Sequence, residues 1–276
     1  MYRVAVLALL AVPALTHAED KDKRPEWVEP MRKVHAKFTG TKGTCALFGD
    51  SITVSLAFWA GLPDKRKGMD DPAKADFETV NAHLKKECWR TWRGPAYGNQ
   101  GSMTIRWADE NAEKWLKKLN PETAVIMFGT NDLTSVPLDE YEKKLRSVVE
   151  KCLANGTVVI LTTIPPRSGM LDKSKKYAEA ARKVAKDLKV PVCDYQAAIL
   201  ERRPDDWDGS AKKFAEYKGY DVPTLLSRDG VHPSNPSKYA GDYSAEGLKS
   251  NGFVLRNYVT MTSYAAVIRE VYKEKK

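Results

Sequence analysis

Four short apolar segments, separated by stretches with helical spacing, constrain the fold of this chain most strongly. They are TCALFG (44–49), TAVIMFG (123–129), TVVILTT (157–163) and VPVCDY (190–195). Each is apolar along most of its length and does not alternate with polar residues, which is typical of strands covered on both faces of a parallel sheet. A weaker fifth candidate strand, GPAYGNQG (94–101), lies between the first two along the chain.

The segments between these strands carry apolar residues at helical spacing. Residues 138–156 would place on one helix face Tyr141, Leu145, Val148, Val149 and Cys152. Residues 174–190 do the same with Ala178, Ala181, Val184 and Leu188, and a terminal helix is expected from residue 252 onward. This order of strands and helices predicts an α/β fold, a doubly wound parallel sheet with helices on both faces.

The first 18 residues, MYRVAVLALLAVPALTHA, have the pattern of a secretory signal peptide. Arg3 precedes an apolar stretch, and Thr16-His17-Ala18 supplies the small residues that a signal peptidase reads. The apolar stretch is shorter than the roughly 20 residues that a membrane-spanning helix needs. We therefore expect an exported protein, periplasmic or extracellular, in which residues 19–276 form a single domain.

Composition narrows the class of protein and of partner. Of the 276 residues, 42% are hydrophobic and 29% are charged, which is typical of a globular chain and not of a disordered one. The formal net charge of +9 could attract acidic polymers, but no nucleic-acid-binding motif stands out. We therefore expect neither a nucleic-acid partner nor integral membrane contact, and the sequence does not indicate the oligomeric state.

Metal and disulfide sites are not indicated by the histidine and cysteine positions. Beyond the predicted signal peptide the histidines are His35, His83 and His232, which are far apart and lack ligand spacing, so no metal is expected. The cysteines are Cys45, Cys88, Cys152 and Cys193. Most fall in strand or helix candidates, where buried thiols are expected. Export also permits an alternative, in which one disulfide forms and Cys88 is the favoured participant.

Polar residues follow the apolar segments, at the sheet edge where such folds bind ligands. Ser51 ends the sequence Gly49-Asp50-Ser51 after the first strand, GTND (129–132) follows the second, and SRDGVHPSN (227–235) precedes the terminal helix. Each has an ordinary structural interpretation, because Ser51 could cap a helix and the other two could be turns.

Their combination indicates nucleophilic catalysis. A serine such as Ser51 becomes a nucleophile when a histidine takes its proton, and the histidine needs a carboxylate that fixes its tautomer. An Asp-x-x-His turn, Asp229 to His232, can supply both from one loop. The oxyanion that forms needs donors that do not titrate, such as the side-chain amide of Asn131 and backbone N–H groups of glycine-containing loops.

The sequences FGDS, GTND and DGVHP, in this order and spacing, resemble those of the SGNH hydrolases, the GDSL-like lipase/acylhydrolase family. The resemblance extends from about Cys45 to the terminal helix. It implies a flavodoxin-like three-layer α/β/α sandwich with a five-stranded parallel sheet, and hydrolysis of carboxylic esters through an acyl-enzyme without metal or other cofactor.

Carried over to this sequence, the resemblance makes Ser51 the nucleophile, His232 the general base and acid, and Asp229 its orienting partner. It assigns the oxyanion donors to the backbone N–H of Ser51, the backbone N–H of Gly101 and the amide of Asn131. In GNQGSMT, an alignment on Thr104 would place Ser102 at the donor position of Gly101.

Two long charged segments, residues 59–97 and 196–228, depart from the family pattern and could border the site as a lid or a sugar platform. The first is expected to hold a helix that buries Phe77, Val80, Leu84 and Cys88. Tryptophans lie in or beside these segments, at positions 59, 89, 92 and 207. They could form a platform for a sugar ring or could pack the segments onto the core.

The sequence therefore favours an exported serine esterase that removes acetyl groups from carbohydrate, with a small ester or an acylated glycan as substrate. One alternative is a lysophospholipase or thioesterase type of acylhydrolase, which would need an apolar acyl channel. The other is a catalytically silent carbohydrate-binding protein on the same fold, since fold alone does not fix function.

Overall fold

A computed structural model of the chain describes residues 24–273, so the predicted signal peptide (1–18) lies outside the described residues. The strands β1 to β4 are Cys45–Gly49, Thr123–Met127, Val158–Thr162 and Val192–Cys193. The helices α1 to α11 are Val28–His35, Ser51–Val54, Asp71–His83, Glu87–Arg90, Ile105–Leu119, Asp132–Ser135, Leu138–Ala154, Leu171–Leu188, Tyr195–Arg202, Gly247–Ser250 and Gly252–Val267. A π-helical turn, Ile268–Tyr272, continues α11, and 3₁₀ turns lie at Pro95–Tyr97, Lys212–Phe214 and Ser237–Tyr239.

The strands form one parallel sheet in the order β1-β2-β3-β4. The register places Cys45 beside Thr123, and Thr123 beside Val158. Every residue of β1, β2 and β3 is buried, which explains why these segments are apolar on both faces. The strand pairing therefore brings the residues that follow β1, β2 and β3 to one edge of the sheet.

Helices cover the two faces of the sheet as separate layers. On one face α5, α7 and α8 contact one another in series, and on the other α11 contacts α3, α9 and the sheet, with α1 beside the π-helical turn. Burial of the predicted apolar faces of α7 and α8 holds these helices against β3. This three-layer α/β/α arrangement confirms the predicted fold class. Within residues 24–273, no helix is both long and apolar enough to cross a bilayer.

The predicted fifth strand, residues 94–101, is the point where the sheet differs from expectation. This segment contributes to the described sheet only an isolated parallel bridge, from Asn99 to Gly49. Gly94 (φ 94°) and Gly98 (φ 84°) adopt left-handed backbone on either side of a 3₁₀ turn, and this geometry interrupts an extended strand. A side chain at Gly98 would collide with the ring of Phe48, since its Cβ would lie 2.2 Å away. The sheet thus has four strands in the described part of the chain.

The helix predicted in the first long segment is divided into α3 and α4. Phe77, Val80, Leu84 and Cys88 are all buried, as predicted. However, the backbone leaves the helical conformation at Leu84, and the N–H of Lys85 donates to the carbonyl of Gly43 at 2.8 Å. This contact with the start of β1 ends α3 one turn earlier than the apolar spacing indicates.

The four cysteines are free and buried, so the predicted alternative of a disulfide involving Cys88 is not found. The Sγ atom of Cys88 instead accepts a hydrogen bond from the backbone N–H of Cys45 at 3.3 Å. Burial raises the pKa of the Cys88 and Cys152 thiols to about 12, so both are neutral at physiological pH.

Candidate active site

The turn after β1 holds Ser51 at the start of a short helix. Asp50, and not Ser51, caps this helix, because its Oδ1 atom accepts the N–H of Ile52 at 3.0 Å. The hydroxyl of Ser51, the first residue of α2, is therefore available for another partner. That partner is the Nε2 atom of His232, 2.9 Å from Ser51 Oγ although the two residues are 181 positions apart.

His232 is held by the predicted Asp-x-x-His turn. Its Nδ1 atom lies 2.7 Å from Oδ2 of Asp229. When Nδ1 carries the proton and donates it to this carboxylate, Nε2 is left as the acceptor for the hydroxyl of Ser51. The structure therefore brings the three predicted residues into one continuous chain of hydrogen bonds.

Asp229 is fixed by more than its contact with the imidazole. Its Oδ1 atom accepts hydrogen bonds from the hydroxyl of Ser227 and from the N–H groups of Val231 and His232, at 2.7, 2.8 and 2.9 Å. Burial alone would raise the pKa of Asp229, but the hydrogen bonds from His232, Ser227 and Val231 hold it well below its usual range. The carboxylate is therefore ionised throughout the pH range in which an esterase would work.

The predicted oxyanion donors lie on two loops beside Ser51. A Cβ added to Gly101 would be 3.9 Å from Cβ of Ser51, so this glycine lies against the serine. The neighbouring Ser102 is exposed and has a left-handed φ of 64°. No hydrogen bond within residues 24–273 uses the backbone N–H of Ser51 or Gly101, which leaves both able to bind an oxyanion.

Asn131 lies at the start of α6, in the loop after β2. One hydrogen of its Nδ2 group is donated to the carbonyl of Met103 at 2.9 Å. An amide NH₂ group has two hydrogens, so this contact orients Asn131 and leaves a second donor. Since Met103 is two residues after Gly101, the same contact joins the two loops that carry the predicted oxyanion donors.

A fully buried arginine and a half-buried one hold in place the turn that carries Ser51. Arg256 on α11 is fully buried and donates to the carbonyl of Ile52 at 2.7 Å and to the hydroxyl of Thr53 at 2.9 Å. Arg93 donates to the carbonyls of Thr53 and Phe58 at 2.8 and 2.7 Å. Burial lowers the pKa of both guanidinium groups to about 10, which leaves them charged at neutral pH.

Two buried carboxyl groups, those of Asp50 and Asp132, are the sequence neighbours of Ser51 and Asn131. Asp50 precedes Ser51, and Asp132 follows Asn131 and accepts the N–H of Ile105 at 2.9 Å. Burial raises the pKa of Asp50 to about 6. Burial, assisted by the charge of Asp50, raises the pKa of Asp132 to about 6 as well. These two carboxyl groups therefore give up their protons at a higher pH than exposed aspartates do.

The loop between β3 and α8 connects the two sides of the site. Arg167 donates from Nη1 to the carbonyl of Thr130 at 2.8 Å. The next residue, Ser168, donates its N–H to the carbonyl of Gly230 at 2.9 Å, within the turn that holds His232. This loop therefore contacts both the Asn131 loop and the Asp229–His232 turn.

The tryptophans of the long segments are mostly part of the core. Trp59, Trp89 and Trp207 are buried, and Trp59 stacks on Trp89 with ring centroids 5.0 Å apart. Trp92 is half-buried and stacks on Tyr97. Of the two interpretations, packing onto the core holds for the three buried tryptophans. An aromatic ring that does lie beside His232 is that of Tyr220, with its centroid 5.9 Å from that of the imidazole.

The other two histidines of residues 24–273 meet near the opposite end of the sheet. Nε2 of His35 and Nε2 of His83 lie 2.9 and 2.8 Å from the two carboxylate oxygens of Glu122, the residue before β2. Within residues 24–273, no group of three or more His, Cys, Asp or Glu side chains has a geometry that could hold a metal ion. The arrangement is a buried carboxylate with imidazole partners, near the end of the sheet opposite Ser51.

Sequence reasoning missed the residues that support the site. Ser227 stands in the quoted SRDGVHPSN, and Asp50 immediately precedes the serine, so a search for acceptors and donors within two residues of the motifs could have found both. Arg93, Arg167 and Arg256 carry no such signal, because their contacts depend on how distant segments fold together.

Comparisons with known proteins agree with this architecture. A sequence model of the GDSL-like lipase/acylhydrolase family matches residues 47–236. A multidomain esterase from Ruminococcus flavefaciens is 30% identical over 180 residues, covering 56% of this chain but only 22% of that protein. The chain therefore spans less than a quarter of that relative.

Solved structures of similar fold include a lipase/acylhydrolase from Enterococcus faecalis, with a TM-score of 0.51 and 17% identity, covering 80% of this chain and 95% of that one. Another is an acetyl-xylooligosaccharide esterase from Geobacillus, with a TM-score of 0.50 and 19% identity. The likeness covers 86% of this chain and 97% of that one. At these identities the likeness concerns the fold. The family match, which spans well over half of the sequence, shows that the chain belongs to the GDSL-like lipase/acylhydrolase family.

Proposed function

We propose that this chain is an exported serine esterase that removes acetyl groups from carbohydrate, with Ser51 as the nucleophile. The observation that carries the catalytic assignment is the unbroken chain of hydrogen bonds from Ser51 through His232 to Asp229. It supplies a nucleophile, a base and a carboxylate that orients the base, which is the arrangement that acyl transfer to a serine requires.

In the first half of the proposed reaction, Nε2 of His232 takes the hydroxyl proton while Oγ of Ser51 attacks the ester carbonyl carbon. The negative charge that develops on the carbonyl oxygen is stabilised by the N–H groups of Ser51 and Gly101 and by the amide of Asn131. The bond to the alcohol oxygen then breaks, and the imidazolium returns the proton to the departing alcohol.

In the second half, water replaces the alcohol. His232 takes a proton from the water as its oxygen attacks the acyl carbon of the acyl-enzyme, and the same three donors stabilise the second oxyanion. The bond to Ser51 Oγ breaks, the imidazolium returns its proton to that oxygen, and the carboxylic acid leaves. The ionised state of Asp229 favours the imidazolium that each half of the reaction forms.

Export and the carbohydrate substrate have separate support. Export is inferred from the signal-like residues 1–18. An acetylated glycan fits an exported esterase with a formal net charge of +9, since many extracellular polysaccharides carry acidic groups that a basic surface attracts.

The test of the catalytic assignment is the rate of p-nitrophenyl acetate hydrolysis by the purified wild type and by Ser51→Ala. We expect the variant to lose the activity, because no other nucleophile contacts His232 in the described part of the chain. Equal rates for the two proteins would rule out the mechanism. Glycan binding without Ser51-dependent hydrolysis of any acyl donor would instead favour the binding-protein alternative.

A second candidate is an acylhydrolase for longer acyl chains, which would need an apolar channel. A cavity of about 790 Å³ near the Asn131 loop is lined by Val136, Leu138 and Tyr177 but also by the charged Asp172, Lys173 and Lys176. Neither Ser51 nor His232 lines this cavity, so we give preference to the acetyl ester. A series of esters of increasing acyl length separates the two, since a preference for about eight carbons or more would favour the lipid-type substrate.

A further inference from the structure

Tyr220 is the one exposed aromatic side chain in the described part of the chain. Its relative exposure is 45%, whereas the other aromatic residues between 24 and 273 are buried or half-buried. A single exposed ring is ordinary on a protein surface, and what distinguishes Tyr220 is its position beside His232.

The position of Tyr220 points to the alcohol side of the site. Its ring lies 5.9 Å from the imidazole of His232, centroid to centroid, at an interplanar angle of 57°. In the proposed reaction His232 protonates the departing alcohol, so the alcohol has to lie against this imidazole. The acyl oxygen is directed instead toward Gly101 and Asn131, which are on other loops.

The backbone on both sides of Tyr220 is fixed in place. The carbonyl of Gly219 accepts the N–H of Arg228 at 2.9 Å, and the carbonyl of Tyr220 itself accepts the N–H of Asn235 at 2.8 Å. These two donors flank the Asp229–His232 turn. Val222, two residues further, is fully buried. The ring is therefore presented beside His232 by a backbone that is already ordered, which reduces the entropy lost when a ligand binds.

We propose that Tyr220 is the binding subsite for the sugar ring of the alcohol, with its exposed face stacked on the pyranose that carries the acyl group. This inference rests on the proposed function and adds to it the position of the glycan. A pyranose offers an apolar face of C–H groups and equatorial hydroxyls, which suits a flat ring with a polar edge. An alcohol without a ring gains nothing from this contact.

The experiment compares acetate release from acetylated xylooligosaccharide and from ethyl acetate, which has no ring in its alcohol. The proteins are the wild type, Tyr220→Ala, Tyr220→Phe and Tyr217→Ala, a control on the half-buried tyrosine of the same segment. For Tyr220→Ala we expect KM on the oligosaccharide to rise roughly threefold to tenfold, with the rate on ethyl acetate unchanged. Tyr220→Phe, which keeps the ring face, and the control should behave as the wild type.

Three results would overturn the proposal. The first is an unchanged KM of Tyr220→Ala on the oligosaccharide. The second is an equal loss on ethyl acetate, which would show a structural defect. The third is a loss in Tyr220→Phe as large as in Tyr220→Ala, which would assign the effect to the hydroxyl. If the wild type hydrolyses ethyl acetate in a Ser51-dependent manner but releases no acetate from glycan, the sugar subsite is wrong and the esterase assignment stands.

Discussion

The guanidinium of Arg167 donates a hydrogen bond to the main-chain carbonyl of Thr130 at 2.8 Å, one residue before Asn131. This contact holds the peptide unit from which the proposed oxyanion donor extends. We therefore expect Arg167 to position Asn131.

Replacing Arg167 by alanine should lower kcat by about tenfold, since a hydrogen bond from a charged donor contributes about 1.5–3 kcal/mol. Asn131→Ala alone should lower kcat by roughly 10²–10³, the usual cost of losing one oxyanion donor. Steady-state kinetics on p-nitrophenyl acetate would measure both.

The double variant distinguishes positioning from a general structural role. If Arg167 acts through Asn131, adding Arg167→Ala to Asn131→Ala should cause little further loss. Arg167→Lys should recover part of the activity. Additive losses in the double variant would contradict the positioning role.

Asp132→Asn should make the protein more stable at neutral pH. The pKa of Asp132 is raised from 3.8 to about 6, so the folded protein holds this proton between those values while the unfolded chain releases it. The unfolding free energy therefore falls as pH rises from about 4 to about 6, by about 3 kcal/mol in total. The asparagine variant lacks this loss and can still accept the N–H of Ile105.

Urea unfolding at pH 7.5 and near pH 4 measures the effect. The gain in midpoint should be present at the higher pH and absent at the lower, and the exposed Asp139→Asn is a matched control. If the urea midpoint of Asp132→Asn at pH 7.5 is lower than that of the wild type, the ionised carboxylate of Asp132 stabilises the folded protein, contrary to this prediction.

Glu122→Gln, in contrast to Asp132→Asn, should make the protein less stable at neutral pH. Burial alone would raise the pKa of Glu122, but hydrogen bonds from His35, His83 and the N–H of Gly43 lower it from 4.5 to about 2. The ionised group therefore contributes stability that is complete above about pH 4.5 and is lost as pH falls toward 2, of about 3 kcal/mol. Glutamine cannot accept all three donors, so the variant should unfold at lower urea concentration at pH 7.

The matched control is Glu87→Gln. Glu87 is exposed and, together with Glu122, lines a cavity of about 640 Å³. Its unfolding midpoint should equal that of the wild type. If Glu122→Gln and Glu87→Gln behave alike at neutral pH, the imidazole contacts of Glu122 do not stabilise the fold.

The thiols should be inaccessible in the native protein. All four cysteines are free and buried, so a thiol reagent such as Ellman's should react with none of them rapidly in native conditions and with four per chain after unfolding without reductant. Release of only two thiols from the unfolded, unreduced chain would reveal a disulfide. The pair to inspect would then be Cys45 and Cys88, which are in contact.

Much of the architecture could be predicted from the sequence because burial leaves a strong pattern. The apolar strands and the spacing of Tyr141, Leu145 and Val148 on α7 are direct consequences of covered faces. The sequence predicts a strand over residues 94–101, but this segment makes only one bridge to the edge of β1, because Gly94 and Gly98 prevent a regular strand. The boundary at Leu84 depended on a tertiary hydrogen bond to Gly43 that has no local signal.

The candidate site could be predicted from the sequence only where its residues stand in short motifs. Ser51, Asp229 and His232 could be named because each stands in a compact polar turn, and their meeting follows from parallel strands that end at one edge. The arginines that support them could not, since the sequence around Arg93, Arg167 and Arg256 gives no indication of their distant hydrogen-bond partners. Arg256 in particular stands in an apolar helix where only the folded structure shows its partners.

The placement of Arg256 has a consequence for the length of chain that a functional protein needs. Its guanidinium lies 3.6 Å over the ring of Phe58 and holds the four-residue helix that begins with Ser51, although it comes from α11, some 200 residues later. A chain shortened before α11 would keep Ser51, Asp229 and His232 yet lack the clamp beneath the serine. We therefore expect an active protein to require α11 as well, which lies beyond residue 236, where the family match ends.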